Sequence, residues 1–223
     1  MREISVFDVI GPVMIGPSSS HTAGALKIAK IARNLVKHKI KSVNFKLYGS
    51  FSKTYNGHGT DKALLGGILD FNTDDARIRD SFALADAADI AYSFEICDGE
   101  NDFHPNTVEI TVDAENGETL FLRGSSIGGG EVEITNINGT DISFSGKYNA
   151  VIVKQKDKPG VVADIANIFT KHKINIAFMR VYRESNSGAV SIIEIDGDPS
   201  DEFLEEMEKI PSIDAVRYFH FAY

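Results

Sequence analysis

From Asn149 to the C-terminus the chain alternates between two apolar periods, and the order of the changes leaves few architectures open. Residues 150–154, 174–182, 189–195 and 216–222 carry the apolar enrichment and alternation of strands, whereas 161–172 and 200–210 carry helical spacing. Asp157-Lys158-Pro159-Gly160 separates the first strand from the first helix, and its Pro-Gly pair shapes a turn. The sequence βαββαβ has one economical solution, an antiparallel sheet covered on one face by two helices. Val161, Ile165, Ile168 and Phe169 then form the stripe that the first helix buries.

The preceding part is more varied. Val6, Val9 and Ile10 lead through Gly11-Pro12 to Val13, Met14 and Ile15. Leu26, Ile28, Ile31, Leu35 and Val36 recur at helical spacing with Lys27, Lys30, Arg33 and Lys37 between them, which predicts a helix over 20–38. A strand at 43–48 ends at Gly49-Ser50, residues 50–59 read as a polar loop, and helices follow at 61–69 and 74–89. Strands are expected at 90–97, 107–112, 119–122, 131–135 and 141–145, with turns at Asp98-Gly99, Glu115-Asn116-Gly117 and Asn138-Gly139. The fold class is α+β: a mixed α/β domain over 1–147, then a ferredoxin-like βαββαβ unit over 148–223.

The densest polar chemistry is Ser18-Ser19-Ser20-His21-Thr22, between Gly16-Pro17 and Ala23-Gly24, where the helix begins. A helix start has backbone N–H groups without intrahelical acceptors, and hydroxyls with an imidazole there make a compact donor set for a carboxylate or phosphate. The alternative is that one serine caps the helix and the others fill a loop. The run contains no acidic residue, which favours an anion site, and it lacks the lysine and spacing of a P-loop. Gly57-His58-Gly59-Thr60 repeats the arrangement of histidine and hydroxyl at a loop-to-helix junction. Ser125-Ser126-Ile127-Gly128-Gly129-Gly130 places three glycines together, as for close backbone approach to a ligand or chain, or for a hinge.

Composition limits the partners. A net charge of −9 in 223 residues argues against general nucleic-acid binding. No apolar run approaches membrane-spanning length and the N-terminus lacks a signal-peptide pattern, so the chain is expected in the cytoplasm without a membrane partner. Cys97 is the only cysteine, so the chain cannot by itself ligate an iron–sulfur cluster, and its six histidines show no tight ligand spacing. No metal is expected on this chain alone.

Four segments carry a family resemblance: Gly16-Pro17-Ser18-Ser19-Ser20-His21-Thr22, Gly57-His58-Gly59-Thr60, His104-Pro105-Asn106-Thr107 and Ser126-Ile127-Gly128-Gly129-Gly130. In order and spacing they resemble the beta subunit of iron-sulfur-dependent L-serine dehydratase over nearly all of 1–147. Residues 149–223 resemble an ACT domain. The resemblance implies elimination of water from L-serine and hydrolysis of the resulting enamine or imine to pyruvate and ammonia. It also implies a 4Fe-4S cluster acting as Lewis acid, held by cysteines of a separate alpha subunit, with which this chain would share an active site.

In that frame Ser18, Ser19, Ser20, His21 and Thr22 would hold the substrate carboxylate, and His58 would be the base. An imidazole suits proton abstraction near neutral pH, and flanking glycines let its loop approach the substrate. Thr60, Ser126, Gly128 and Gly129 would supply further substrate contacts, while His104 and Asn106 would organise a loop or face the partner. The ACT resemblance implies self-association and a regulatory ligand near Asp157, Gly160 and Val161. A different class remains open, a stand-alone amino-acid-binding regulator that needs no partner chain.

Overall fold

The computed structural model describes residues 13–36, 38–97, 99, 102–145, 148–184 and 187–220. The apolar lead at 6–12, Lys37, Asp98 of an expected turn, the shift at Gly146-Lys147 and the expected strand end at Ala222 lie outside the described residues. The chain divides into two compact units, Met1–Ser145 and Gly146–Tyr223.

The first unit opens with a π-helical turn, Ser19–Gly24, that runs directly into α1 (Ala25–Leu35). Then come β1 (Ile40–Tyr48), α2 (Gly49–Thr54), α3 (Thr60–Ile68), a 3₁₀ turn at Ala76–Asp80 and α4 (Ser81–Ala87). The remaining strands are β2 (Ala91–Cys97), β3 (Thr107–Ala114), β4 (Thr119–Gly128), β5 (Glu131–Ile137) and β6 (Thr140–Phe144). They form one six-stranded sheet in the order β2-β1-β3-β4-β5-β6. Only the β1–β2 pair is parallel, and the helices between these strands supply the crossover such a pair requires. Val43, Phe45, Leu47, Val108, Ile110, Val112 and Leu122 are buried on the strands at the centre of this sheet.

Three elements differ from the sequence expectation. The polar segment after β1 begins with a short helix, α2, in which the Ser52 and Thr54 hydroxyls donate back to the carbonyls of Gly49 and Ser50. The single helix expected over 74–89 is a 3₁₀ turn followed by α4; Asp75 caps the turn through Arg77 N, and the Ser81 hydroxyl donates to Ile78 O at the join. The strand expected at 119–122 continues to Gly128, so Ser125, Ser126 and Ile127 belong to β4. Its second half has small residues where an apolar run would normally announce a strand. Gly129 and Gly130, with φ of 62° and 81°, form the two-residue turn into β5.

The small residues let α1 lie close to β4. A Cβ on Gly124 would come within 2.9 Å of Ile28 Cγ2, and a Cβ on Gly24 would overlap Ser126, with Ser126 Cβ at 2.7 Å. Residues 24 and 28 span about 6 Å along a helix and residues 126 and 124 about 6.6 Å along a strand, so the two pairs match. A third close contact joins α1 to α3. A Cβ on Gly67 would sit 2.7 Å from Ala29 Cβ and 2.8 Å from Lys30 N.

The second unit contains β7 (Asn149–Lys156), α5 (Val161–Lys171), β8 (Asn175–Arg183), β9 (Gly188–Asp196), α6 (Asp201–Glu208) and β10 (Ile213–Phe219). Its antiparallel sheet has the order β10-β7-β9-β8, the βαββαβ arrangement expected from the sequence. Val151, Val153, Ile193 and Ile195 meet Val161, Ile165 and Phe169 of α5 and Phe203 and Met207 of α6 in one core. Phe169 and Phe203 pack edge to face at 4.8 Å, and Glu206 bridges Lys171 and His172 across the helix pair.

Helix-interior Gly→Ala normally stabilises by about 1 kcal/mol. Gly67→Ala is expected to do the reverse and cost about 1–3 kcal/mol through overpacking against α1, measured as a lowered urea midpoint.

Candidate active site

The serine cluster is organised around His21. Ser18 caps the opening turn by accepting from the His21 N–H at 3.1 Å. The imidazole lies between two hydroxyls, with Nδ1 3.3 Å from Ser18 Oγ and Nε2 3.0 Å from Ser50 Oγ. It packs edge to face with the rings of His58 at 4.7 Å and Phe51 at 5.4 Å. Burial, and secondarily the neighbouring His58, lower the pKa of His21 below the usual 6.5, which favours the neutral ring.

Thr22 ties the cluster to the second segment: its hydroxyl donates to the His58 carbonyl at 3.2 Å. The His58 N–H donates to Thr54 O, so the histidine backbone is held on both sides. Thr60 begins α3 and is fully buried, followed by Asp61, whose carboxyl pKa burial raises although it accepts from Lys62 N. Ser19 and Ser20 are half-buried and their hydroxyls are uncommitted among the described residues.

The third segment is brought in by an aromatic clamp on the sheet. Phe103 packs edge-on against Tyr48 at 5.1 Å and beneath the Arg123 guanidinium at 4.5 Å. Glu109 joins the same two residues, accepting from Tyr48 OH and Arg123 Nε. With Phe103 fixed, the loop folds over: His104 Nδ1 accepts from Asn106 N, and Thr107 Oγ1 donates to His104 O. Asn106 and Ser126 exchange contacts, Ser126 N donating to Asn106 O and Asn106 Nδ2 to Ser126 O.

Among the described residues, four buried side-chain polar atoms have no hydrogen-bond partner: His58 Nδ1, Thr60 Oγ1, Asn106 Oδ1 and Ser126 Oγ. Each such atom costs about 1–3 kcal/mol in a folded chain. All four lie in the segments singled out from the sequence. Those segments are joined by the Thr22–His58 bond, the Gly24–Ser126 contact and the Asn106–Ser126 bonds.

Comparison with known proteins agrees with this concentration of features. A family model described as serine dehydratase beta chain matches residues 5–136, and one described as ACT domain matches residues 150–212. A probable L-serine dehydratase beta chain from Bacillus subtilis is 46% identical over 214 residues, covering 96% of each chain. The chain belongs to the serine dehydratase beta chain family. The beta chain of L-serine dehydratase from Peptoniphilus asaccharolyticus is 43% identical over 197 residues, covering 88% of this chain and 89% of that one. The ACT domain of GTP pyrophosphokinase from Chlorobium tepidum aligns over 32% of this chain and 97% of its own, with 14% identity and a TM-score of 0.28.

Within this beta chain the remaining expected site residues are separately placed. Gly128 and Gly129 lie at the β4–β5 hairpin, where a Cβ on Gly128 would meet open space. In the ACT domain Asp157 pairs with Arg183, Gly160 begins α5 with φ of 95°, and the Val161 side chain is in the apolar core. Ser50 and Phe51 were not assigned a site role from the sequence. Their one local signal is the Gly-Ser pair at a strand end, which resembles many ordinary turns.

Two outcomes are expected. Thr60→Val removes an unpartnered buried hydroxyl, so the thermal midpoint of the chain should hold or rise while serine turnover by the assembled enzyme falls. His21 has a lowered folded pKa, so the stability it contributes is complete above the unfolded value near 6.5 and is lost as pH falls through the folded value. The urea midpoint should therefore drop between pH 7.5 and 5.5 by less in His21→Gln than in wild type.

Proposed function

We infer that this beta chain holds L-serine and removes its α-proton in an L-serine dehydratase, within an active site completed by an alpha chain. The four unpartnered buried polar atoms around the opening turn of α1 are the observation that carries this reading. A small, highly polar substrate is the kind of molecule that would satisfy such atoms, and the relatives named above are serine dehydratase beta chains.

The division of labour follows from which groups are already engaged. Ser19 and Ser20, with the backbone N–H groups of the first turn, receive the substrate carboxylate. Ser18, His21 and Thr22 line the same end and hold it in shape through their bonds to one another, Ser50 and His58. Thr60 and Ser126 offer hydroxyls to the polar groups at Cα and Cβ, and Gly128 and Gly129 carry the hairpin at the end of Ser126's strand. His58 takes the α-proton. The neutral His21 beside it leaves room for the positive charge that His58 then acquires, which a second imidazolium at 4.7 Å would oppose.

Departure of the substrate hydroxyl needs an electrophile, and this chain does not fit one. Cys97, at the end of β2 beside Tyr48, is the single cysteine, and a 4Fe-4S cluster requires several. Among the described residues no three His, Cys, Asp or Glu side chains are grouped to hold a metal ion. The cluster belongs to the alpha chain in this reading, and when bound it supplies Lewis acidity toward the substrate hydroxyl. Asp157, Gly160 and Val161 mark the regulatory ligand position of the ACT domain, which also pairs with a second copy. Among the described residues no helix is long and apolar enough to cross a membrane.

His58→Ala, assembled anaerobically with the alpha chain, is expected to lower kcat for pyruvate formation about 10²–10⁴-fold. Wild-type turnover in that variant would refute the assignment of the base.

A further inference from the structure

His21 has two ring nitrogens and, as the neutral ring, one proton to share between two serine hydroxyls. Ser18 Oγ already accepts the His21 backbone N–H at 3.1 Å, so its own hydroxyl hydrogen is free to be donated to Nδ1 at 3.3 Å. The matching arrangement has the ring proton on Nε2, donated to Ser50 Oγ at the shorter distance of 3.0 Å. The Ser50 oxygen then acts as acceptor, and its hydroxyl hydrogen remains available. In the other tautomer Nδ1–H would be the second donor to Ser18 Oγ, at the longer 3.3 Å, and Ser50 would spend its hydrogen on Nε2.

Ser50 is fixed independently of this contact. Its N–H donates to Pro105 O at 2.6 Å, and its carbonyl accepts from the Thr54 hydroxyl. The preceding Gly49, at φ 57°, lies so close to the same loop that a Cβ would be 2.6 Å from Pro105 O. Phe51, the next residue, packs on the His21 ring. The first turn of α2 therefore holds the imidazole by a hydrogen bond and a ring contact.

We propose that Ser50 is a positioning residue of the serine site: by accepting from His21 Nε2–H it fixes the tautomer and orientation of the ring that shapes the L-serine site. This rests on the substrate reading given above and extends it to a residue outside the four sequence segments. It adds a side-chain role to α2, which already holds His58 N–H through Thr54 O. It also links the Pro105 loop to His21 through one residue, Ser50, whose N–H donates to Pro105 O and whose hydroxyl meets the ring.

The test has two parts. In ¹⁵N-labelled full-length beta chain, long-range histidine ring spectra should show His21 as the Nε2–H tautomer, assigned by its loss in His21→Gln. Ser50→Ala should shift the population toward Nδ1–H, and Ser50→Thr should restore it. In the assembled two-chain enzyme Ser50→Ala should raise KM for L-serine about three- to tenfold with a smaller change in kcat, and Ser50→Thr should recover the wild-type value. If Ser50→Ala disturbs folding, Ser50→Cys serves in both measurements, because its thiol accepts only weakly. An Nε2–H tautomer unchanged in a folded Ser50→Ala chain, or a wild-type KM, overturns the proposal. The tautomer is read on the beta chain alone, so it stands apart from the base assignment: full turnover in His58→Ala would defeat that assignment without altering the ring spectrum.

Discussion

The close approach of α1 to β4 governs the first domain. Gly24 over Ser126 and Ile28 over Gly124 set helix and strand in register, and each contact leaves no room for a Cβ on its glycine. Because the helical and strand repeats match over these residues, the start of the helix arrives where β4 presents a serine. A larger side chain at residue 24 or 124 would lift the helix from the sheet and separate Ser126 from the serine cluster. Close packing therefore serves the site before it serves the core.

Around that contact the domain accepts polar groups that packing alone would remove. His58 Nδ1, Thr60 Oγ1, Asn106 Oδ1 and Ser126 Oγ are withdrawn from water without partners, while the hydrophobic centre of the sheet is filled by Val43, Phe45, Leu47 and Ile110. Apolar burial, at about 25 cal/mol per Å², is the favourable counterweight to such desolvation. The engaged hydroxyls of Ser18 and Thr22 keep the uncommitted ones in place. The ACT domain differs in this respect: its buried polar side chains Gln155 and Ser191 bond to each other within the sheet.

The ACT domain was legible because each element announces itself locally. The stripe of Val161, Ile165 and Phe169 and the alternation in 150–154 and 189–195 correspond to α5, β7 and β9. The second half of β4 was not, since Gly124, Ser125 and Ser126 suit a close helix better than they advertise a strand. The chain also hid α2, because the glycine, serines and threonine in it favour turns and caps.

By itself the sequence determined the chemistry available: a run of hydroxyls with His21 at a helix start, His58 between glycines, one cysteine, and a βαββαβ tail. These depend on residue identity and on spacing along a few turns of chain. The tertiary structure decided which groups meet. Ser50 reaches His21 from 29 residues away, Thr22 reaches the His58 carbonyl from 36, and Phe103 clamps the Asn106 loop through Tyr48 and Arg123 on separate strands. No local pattern encodes such contacts, because they follow from how closely α1 lies on the sheet and from where the strands end.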